Sequence, residues 1–126
     1  MKKILIAEDN RVNQKISMRI LEKLGYSPDV VSNGKEAILA LQKQFYDVVF
    51  MDIQMPEMDG LEATRKICEY WQSHERPVII AMTASEEERD KESCLQAGMN
   101  DYISKPIRIE TVQIMLDKYL HNFGNT

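Results

Sequence analysis

Three apolar runs, at residues 4–7, 48–51 and 78–82, are continuous rather than alternating. A strand with one face in water alternates apolar and polar residues, so a continuous run marks a strand covered on both faces. Shorter apolar runs at 30–31 and 102–103 bring the set to five. Segments of helical period lie between them. Val12, Ile16, Ile20 and Leu24 fall four apart, and Gly25 supplies a stop. Asn33-Gly34 opens a second such segment, carrying Ala37, Ile38 and Leu41. Asp59-Gly60 opens a third, with Leu61, Ile67 and Trp71. Ser85-Glu86-Glu87-Glu88 reads as a capping box for a fourth, which stops at Gly98. The fifth begins after Pro106 and carries Ile109, Val112, Leu116 and Tyr119. The order βαβαβαβαβα, joined by right-handed crossovers, predicts a doubly wound α/β fold: a five-stranded parallel sheet with helices on both faces.

A chain of 126 residues suits one compact domain with a real core. No repeat or linker breaks the pattern, so the domain is expected over residues 1–121, with a short tail at 122–126. Sixteen Lys and Arg against twenty Asp and Glu give a formal net charge of −4. A mildly acidic domain is a poor nucleic-acid binder, because phosphate contacts need a basic patch. No run of about 18 apolar residues offers a membrane span, and the apolar run after Met1-Lys2-Lys3 is too short for a signal peptide. Cys68 and Cys94 form no CxxC. They read as helix-packing thiols of a reducing compartment, hence the cytoplasm.

Open α/β sheets bind ligands outside the carboxyl ends of their strands. Here the first, third, fourth and fifth runs end on reactive groups: Glu8-Asp9, Asp52, Thr83 and Lys105. Each has an ordinary explanation alone. Asp9 suits a helix cap, Asp52 a loop turn beside Pro and Gly, Thr83 a turn brace, and Lys105 a snorkelling strand end. Three acids, a hydroxyl and an ammonium at adjacent strand ends instead predict one site.

Like charges at close range need a compensating cation. The donors are oxygens without His or Cys, which favours Mg²⁺, with Mn²⁺ as an alternative, over zinc. Lys105 and Thr83 would face an anion beside that metal, as a phosphoryl clamp. Asp52 lies between the metal side and the lysine side, and a carboxylate can serve as nucleophile in aspartyl-phosphate chemistry.

These residues carry a specific resemblance. Glu8-Asp9, Asp52, Met55-Pro56 with Asp59-Gly60, Thr83-Ala84 and Lys105-Pro106 are similar in order and spacing to receiver domains of two-component signalling, the CheY-like family. The resemblance covers residues 2 to about 120. It implies a flavodoxin-like (βα)5 fold with strand order 2-1-3-4-5. It implies that Asp52 accepts a phosphoryl group from a histidine kinase or a histidine phosphotransfer domain, and that the domain then changes conformation to relay a signal. Asp9 and Asp52 would bind Mg²⁺ directly, the Gln54 backbone carbonyl would be a third ligand, and Glu8 would act through water. Lys105 would pair with the phosphoryl oxygens, Thr83 would move to hydrogen-bond them, and Tyr102 would be the aromatic switch. The Lys105-Pro106 bond is often cis in such domains. Asn13, Gln14, Ser17, Met18 and Ile107 would face the phosphodonor.

Glu8-Asp9-Asn10 with Asn13, and Met51-Asp52-Ile53-Gln54-Met55-Pro56, most resemble receivers attached to hybrid histidine kinases. Glu8 departs from the aspartate of many members. The resemblance further implies self-phosphorylation and autodephosphorylation rather than turnover of an external substrate, in a monomer or weak dimer without membrane contact. Two rivals are weaker. A haloacid-dehalogenase-like phosphatase carries a DxD pattern after its first strand, whereas Asp52 follows the third run. A flavodoxin-like FMN binder needs a glycine- and hydroxyl-rich first loop, and Glu8-Asp9-Asn10-Arg11 would repel a phosphate.

Overall fold

The computed structural model describes residues 2–84 and 87–120. The expected domain end at residue 121 and the tail at 122–126 lie outside them. Five strands, β1 (Ile4–Ala7), β2 (Asp29–Val31), β3 (Val48–Asp52), β4 (Val78–Thr83) and β5 (Asp101–Ser104), alternate with α1 (Arg11–Lys23), α2 (Gly34–Lys43), α3 (Gly60–Tyr70), α4 (Glu88–Ala97) and α5 (Ile109–Leu120). All pairings are parallel, and the sheet order is β2-β1-β3-β4-β5. This is the expected doubly wound fold.

Alternate residues of each strand enter opposite layers, as the pleat requires. Ile4, Ile6, Val48, Phe50, Ile80, Met82 and Ile103 pack with Leu21 of α1 and Val112 and Leu116 of α5. Leu5, Ala7, Val49, Met51, Ile79 and Ala81 pack with residues of α2, α3 and Cys94 of α4. Both layers are apolar, which is why the three central runs carry no polar residue before their ends.

Helix starts follow local chemistry. Asn10, Asn33 and Asp59 occupy N-caps, and their side chains accept from the backbone N–H groups of Asn13, Glu36 and Glu62 at 3.0, 2.9 and 2.8 Å. Such caps satisfy donors that a helix leaves unpaired. The first cap is Asn10, so Asp9 is not used for that purpose. Helix α4 departs from expectation. It opens at Glu88 with Glu87 at the N-cap. Ser85 and Glu86, on which the expected box rests, fall outside the described residues.

Helix α1 forms where its spacing predicts, but its apolar stripe is not its buried face. Steps of four residues drift by about 40° each around a helix of 3.6 residues per turn. Ile20 and Leu24 therefore reach the core, while Val12 and Ile16 are 66% and 41% exposed. Leu21 and the small Ser17 are the buried residues of this helix. Leu21→Ala should cost about 2–5 kcal/mol in urea unfolding through the cavity it leaves, whereas Val12→Ala should stay within about 0.5 kcal/mol. Equal costs would place the stripe, not Leu21, against the sheet.

Candidate functional site

Parallel strands in adjacent positions end on the same edge of the sheet. Asp52 and Thr83 are the last residues of β3 and β4, while Glu8 and Lys105 directly follow β1 and β5. Register brings them level: Asp52 stands opposite Met82, and Thr83 opposite Ser104. The expected set Glu8, Asp9, Asp52, Gln54, Thr83 and Lys105 lines one cavity of about 360 Å³.

Two of the acids, Asp52 and Glu8, are held by backbone. The Gln54 N–H donates to Asp52 Oδ1 at 3.0 Å, and the Asn10 N–H donates to Glu8 Oε2 at 3.0 Å. Beneath Asp52 lies Gly60. A Cβ there would strike the Asp52 carbonyl oxygen and come within 2.9 Å of Ile53 Cα, and the Gly60 N–H donates to Ile53 O at 3.2 Å. The Asp59-Gly60 pair thus caps α3 and lets the helix start against the nucleophile candidate's own backbone. The Lys105 N–H likewise donates to Thr83 O at 2.8 Å, and the Lys105–Pro106 peptide is cis.

Charge dominates the cavity. Lys105 Nζ lies 2.7 Å from Asp52 Oδ2 and 2.9 Å from Glu8 Oε1. Glu8 and Asp52 are buried, at 1% and 4% exposure, while Asp9 is exposed. Burial pulls the Lys105 pKa down, but pairing with the two carboxylates outweighs it and holds the ammonium above its ordinary value. The contact to Glu8 Oε1 is an ion pair without hydrogen-bond geometry, and that oxygen is a buried atom with no hydrogen-bond donor among the described residues. Carboxylate oxygens of Glu8, Asp9 and Asp52 fall within 4.8 Å of one another. Three carboxylates against one ammonium leave a formal charge of −2. An all-oxygen donor set, an under-satisfied buried oxygen and that residual charge together fit a hard divalent cation.

Some expected residues lie elsewhere. Tyr102 is absent from the residues lining this cavity and instead borders a neighbouring one, of about 580 Å³, with Lys91, Lys105 and Arg108. Ser17 is 3% exposed and lines a cavity beside Lys105 with Asn13, Ile16 and Ile107, and Met18 is half-buried against the core. The Gln14 side chain donates to Glu8 O at 2.6 Å and to Ser32 Oγ at 3.4 Å, bracing the acidic loop. The outward residues nearby are Val12 and Ile16 instead. The cavity also contains Asp90, which was not anticipated. It sits in the first turn of α4, and a helix expected to start at Ser85 gave no reason to aim it there.

An acidic cleft crossed by a lysine, at the carboxyl edge of a 2-1-3-4-5 parallel sheet, defines a receiver of the two-component type. The model of the response regulator receiver domain matches residues 4–117, and the chain belongs to that family: it is a receiver domain of two-component signalling. Hybrid signal transduction histidine kinase B of Dictyostelium discoideum is 45% identical over 94% of this chain, which corresponds to 7% of that kinase. The chain spans between 4% and 16% of the length of the curated histidine kinases it matches. Among solved structures, the receiver domain of sensor histidine kinase PA1611 from Pseudomonas aeruginosa PAO1 superposes with a TM-score of 0.86. It is 40% identical over 95% of this chain and 98% of that one, and holds a magnesium ion in its active site cleft. The receiver domain of Ssk1 from Saccharomyces cerevisiae, solved with the histidine phosphotransfer protein Ypd1, gives 0.87 at 31% identity, over 94% and 88% of the two chains.

A lysine held above its unfolded pKa stabilises the fold fully below about pH 10.5, and that contribution is lost as pH rises through the folded value. The wild type should therefore lose stability in the alkaline range relative to Lys105→Met, whose profile lacks this step. Parallel thermal-melt profiles above about pH 10.5 would remove the pairing from the account.

Proposed function

We propose that Asp52 accepts a phosphoryl group from a phosphohistidine of a histidine kinase or histidine phosphotransfer domain, with Mg²⁺ as cofactor and Mn²⁺ as a substitute. The observation that carries this is Asp52 itself: a buried carboxylate on the cavity floor, paired with Lys105 and within reach of two further acids. An Asp52 oxygen attacks phosphorus, the P–N bond breaks, and the donor imidazole leaves with its electron pair. Lys105 then transfers its pairing from the carboxylate to the phosphoryl oxygens. Thr83, at the end of β4, supplies a hydroxyl to the same group. Asp9, Asp52 and the Gln54 carbonyl would hold the cation, with Glu8 through water. When bound, the cation neutralises charge on the phosphoryl oxygens. Water later cleaves the acyl phosphate, so the domain dephosphorylates itself and turns over no external substrate.

The relay follows from charge added at Asp52. Thr83 is drawn inward and Tyr102 rotates after it, changing the face made by α4, β5 and α5. A swing from 1:99 to 99:1 needs about 5.5 kcal/mol, which two or three charge-assisted hydrogen bonds to a dianion can largely supply. The domain spans residues 1–121, acts in the cytoplasm as monomer or weak dimer, and needs no nucleic acid or membrane. The free thiols Cys68 and Cys94 support a reducing compartment, and no described helix is long and apolar enough to cross a membrane.

For the phosphodonor, the exposed Val12 and Ile16 with the half-buried Asn13 and Ile107 beside Lys105 support docking. The Ssk1 receiver solved with the histidine phosphotransfer protein Ypd1 supports a partner of that class.

With acetyl phosphate and Mg²⁺, the wild type should gain one acid-labile phosphoryl group by mass spectrometry, and Asp52→Asn should gain none. An adduct surviving in Asp52→Asn would move the acceptor elsewhere. Ile16→Asp should slow transfer from a phosphorylated phosphotransfer protein about tenfold or more while sparing acetyl phosphate. Equal slowing of both routes would argue against the docking face.

A further inference from the structure

Lys91 of α4 and Tyr102 of β5 meet where the helix packs against the strand. The Lys91 ammonium lies 5.2 Å from the centroid of the Tyr102 ring, within the range of cation–π attraction. Both side chains are half-buried. The neighbouring carboxylate does not compete for the ammonium. Asp101 Oδ2 is already held by Lys118 Nζ at 3.0 Å and the Tyr119 hydroxyl at 2.9 Å, and Asp101 Oδ1 accepts the Tyr102 N–H at 2.9 Å. Among the described residues Lys91 enters no salt bridge. Among the described residues, the ring is the group its charge addresses.

The residue before it faces the other way. Asp90 lines the cavity of Asp52, Thr83 and Lys105, while Lys91 lines the adjoining cavity with Tyr102 and Arg108. One turn of α4 thus touches the phosphoryl site with a carboxylate and the aromatic with a cation. Negative charge added at Asp52 repels Asp90, and a shift of that turn carries Lys91 with it.

We propose that Lys91 is a positioning residue for Tyr102, holding the ring in the half-exposed position of the unphosphorylated domain. This rests on the reading of Tyr102 as the switch aromatic. Inward rotation of the ring must give up the ammonium, so the pair biases the equilibrium toward the resting state. A contact of this exposure biases it about two- to fivefold.

The test is 19F NMR on the full chain labelled with 3-fluorotyrosine, the Tyr102 resonance being assigned through Tyr102→Phe. Wild type, Lys91→Met and Lys91→Arg are compared with and without beryllofluoride and Mg²⁺. Methionine keeps an unbranched side chain of similar length but loses the charge, and arginine keeps the cation over the ring. Without beryllofluoride, Lys91→Met should raise the population of the activated Tyr102 position about two- to fivefold, and Lys91→Arg should match the wild type. If the wild type responds to beryllofluoride but Lys91→Met is indistinguishable from it beforehand, Lys91 has no such role. If the wild-type Tyr102 resonance itself does not respond, the switch reading falls and takes this proposal with it.

Discussion

The ammonium of Lys105, 2.7 Å from Asp52 and 2.9 Å from Glu8, is what allows two buried carboxylates to share one cleft. Unpaired, either acid would face a large desolvation cost and a like-charged neighbour. The lysine offsets one charge of three and leaves the rest for a cation. In the order β2-β1-β3-β4-β5 the lysine follows an end strand, while the acids follow or end strands nearer the middle. The side chain spans from the fifth strand, past Thr83, to the acids. Sheet order and charge balance are therefore one constraint seen at two scales.

Two apolar layers cover the sheet beneath this edge. Residues of α1 and α5 close one face, and residues of α2, α3 and α4 close the other. Polar groups appear where the strands leave that double cover. The site draws a member from four strand ends, so it reports on how those strands stand relative to one another.

Much of this was legible in the sequence because burial on both faces leaves a mark. Continuous runs at 4–7, 48–51 and 78–82 predicted central parallel strands, and the residue ending each run predicted the cleft. The short edge run at 30–31 and the run at 102–103 were also found, since turn and helix signals bracket them. What escaped depended on rotation about a helix axis. A four-residue spacing named Val12 and Ile16 as readily as Ile20, but only packing against β1 and β3 decides which of them is covered. Ser17 and Gln14 looked like surface residues by type, yet one is small enough to sit beneath the helix and the other reaches back to Glu8 O. Asp90 was missed for the same reason. Once α4 begins at Glu88 rather than near Ser85, its first turn aims a different residue at the cleft.

Gly25 and Gly60 show two separate demands on the same residue type. Gly25 has φ of 95° with nothing within 4 Å of where a Cβ would stand. Gly60 is not among the positive-φ glycines, but its Cβ position is already filled by the backbone of Asp52 and Ile53. The first is a demand of handedness, which a mirror-image alanine would meet. The second is a demand of volume. The start of α3 is gauged against the backbone of Asp52 like a part seated on a shim of zero thickness, so helix and strand end keep this spacing only while position 60 carries no side chain.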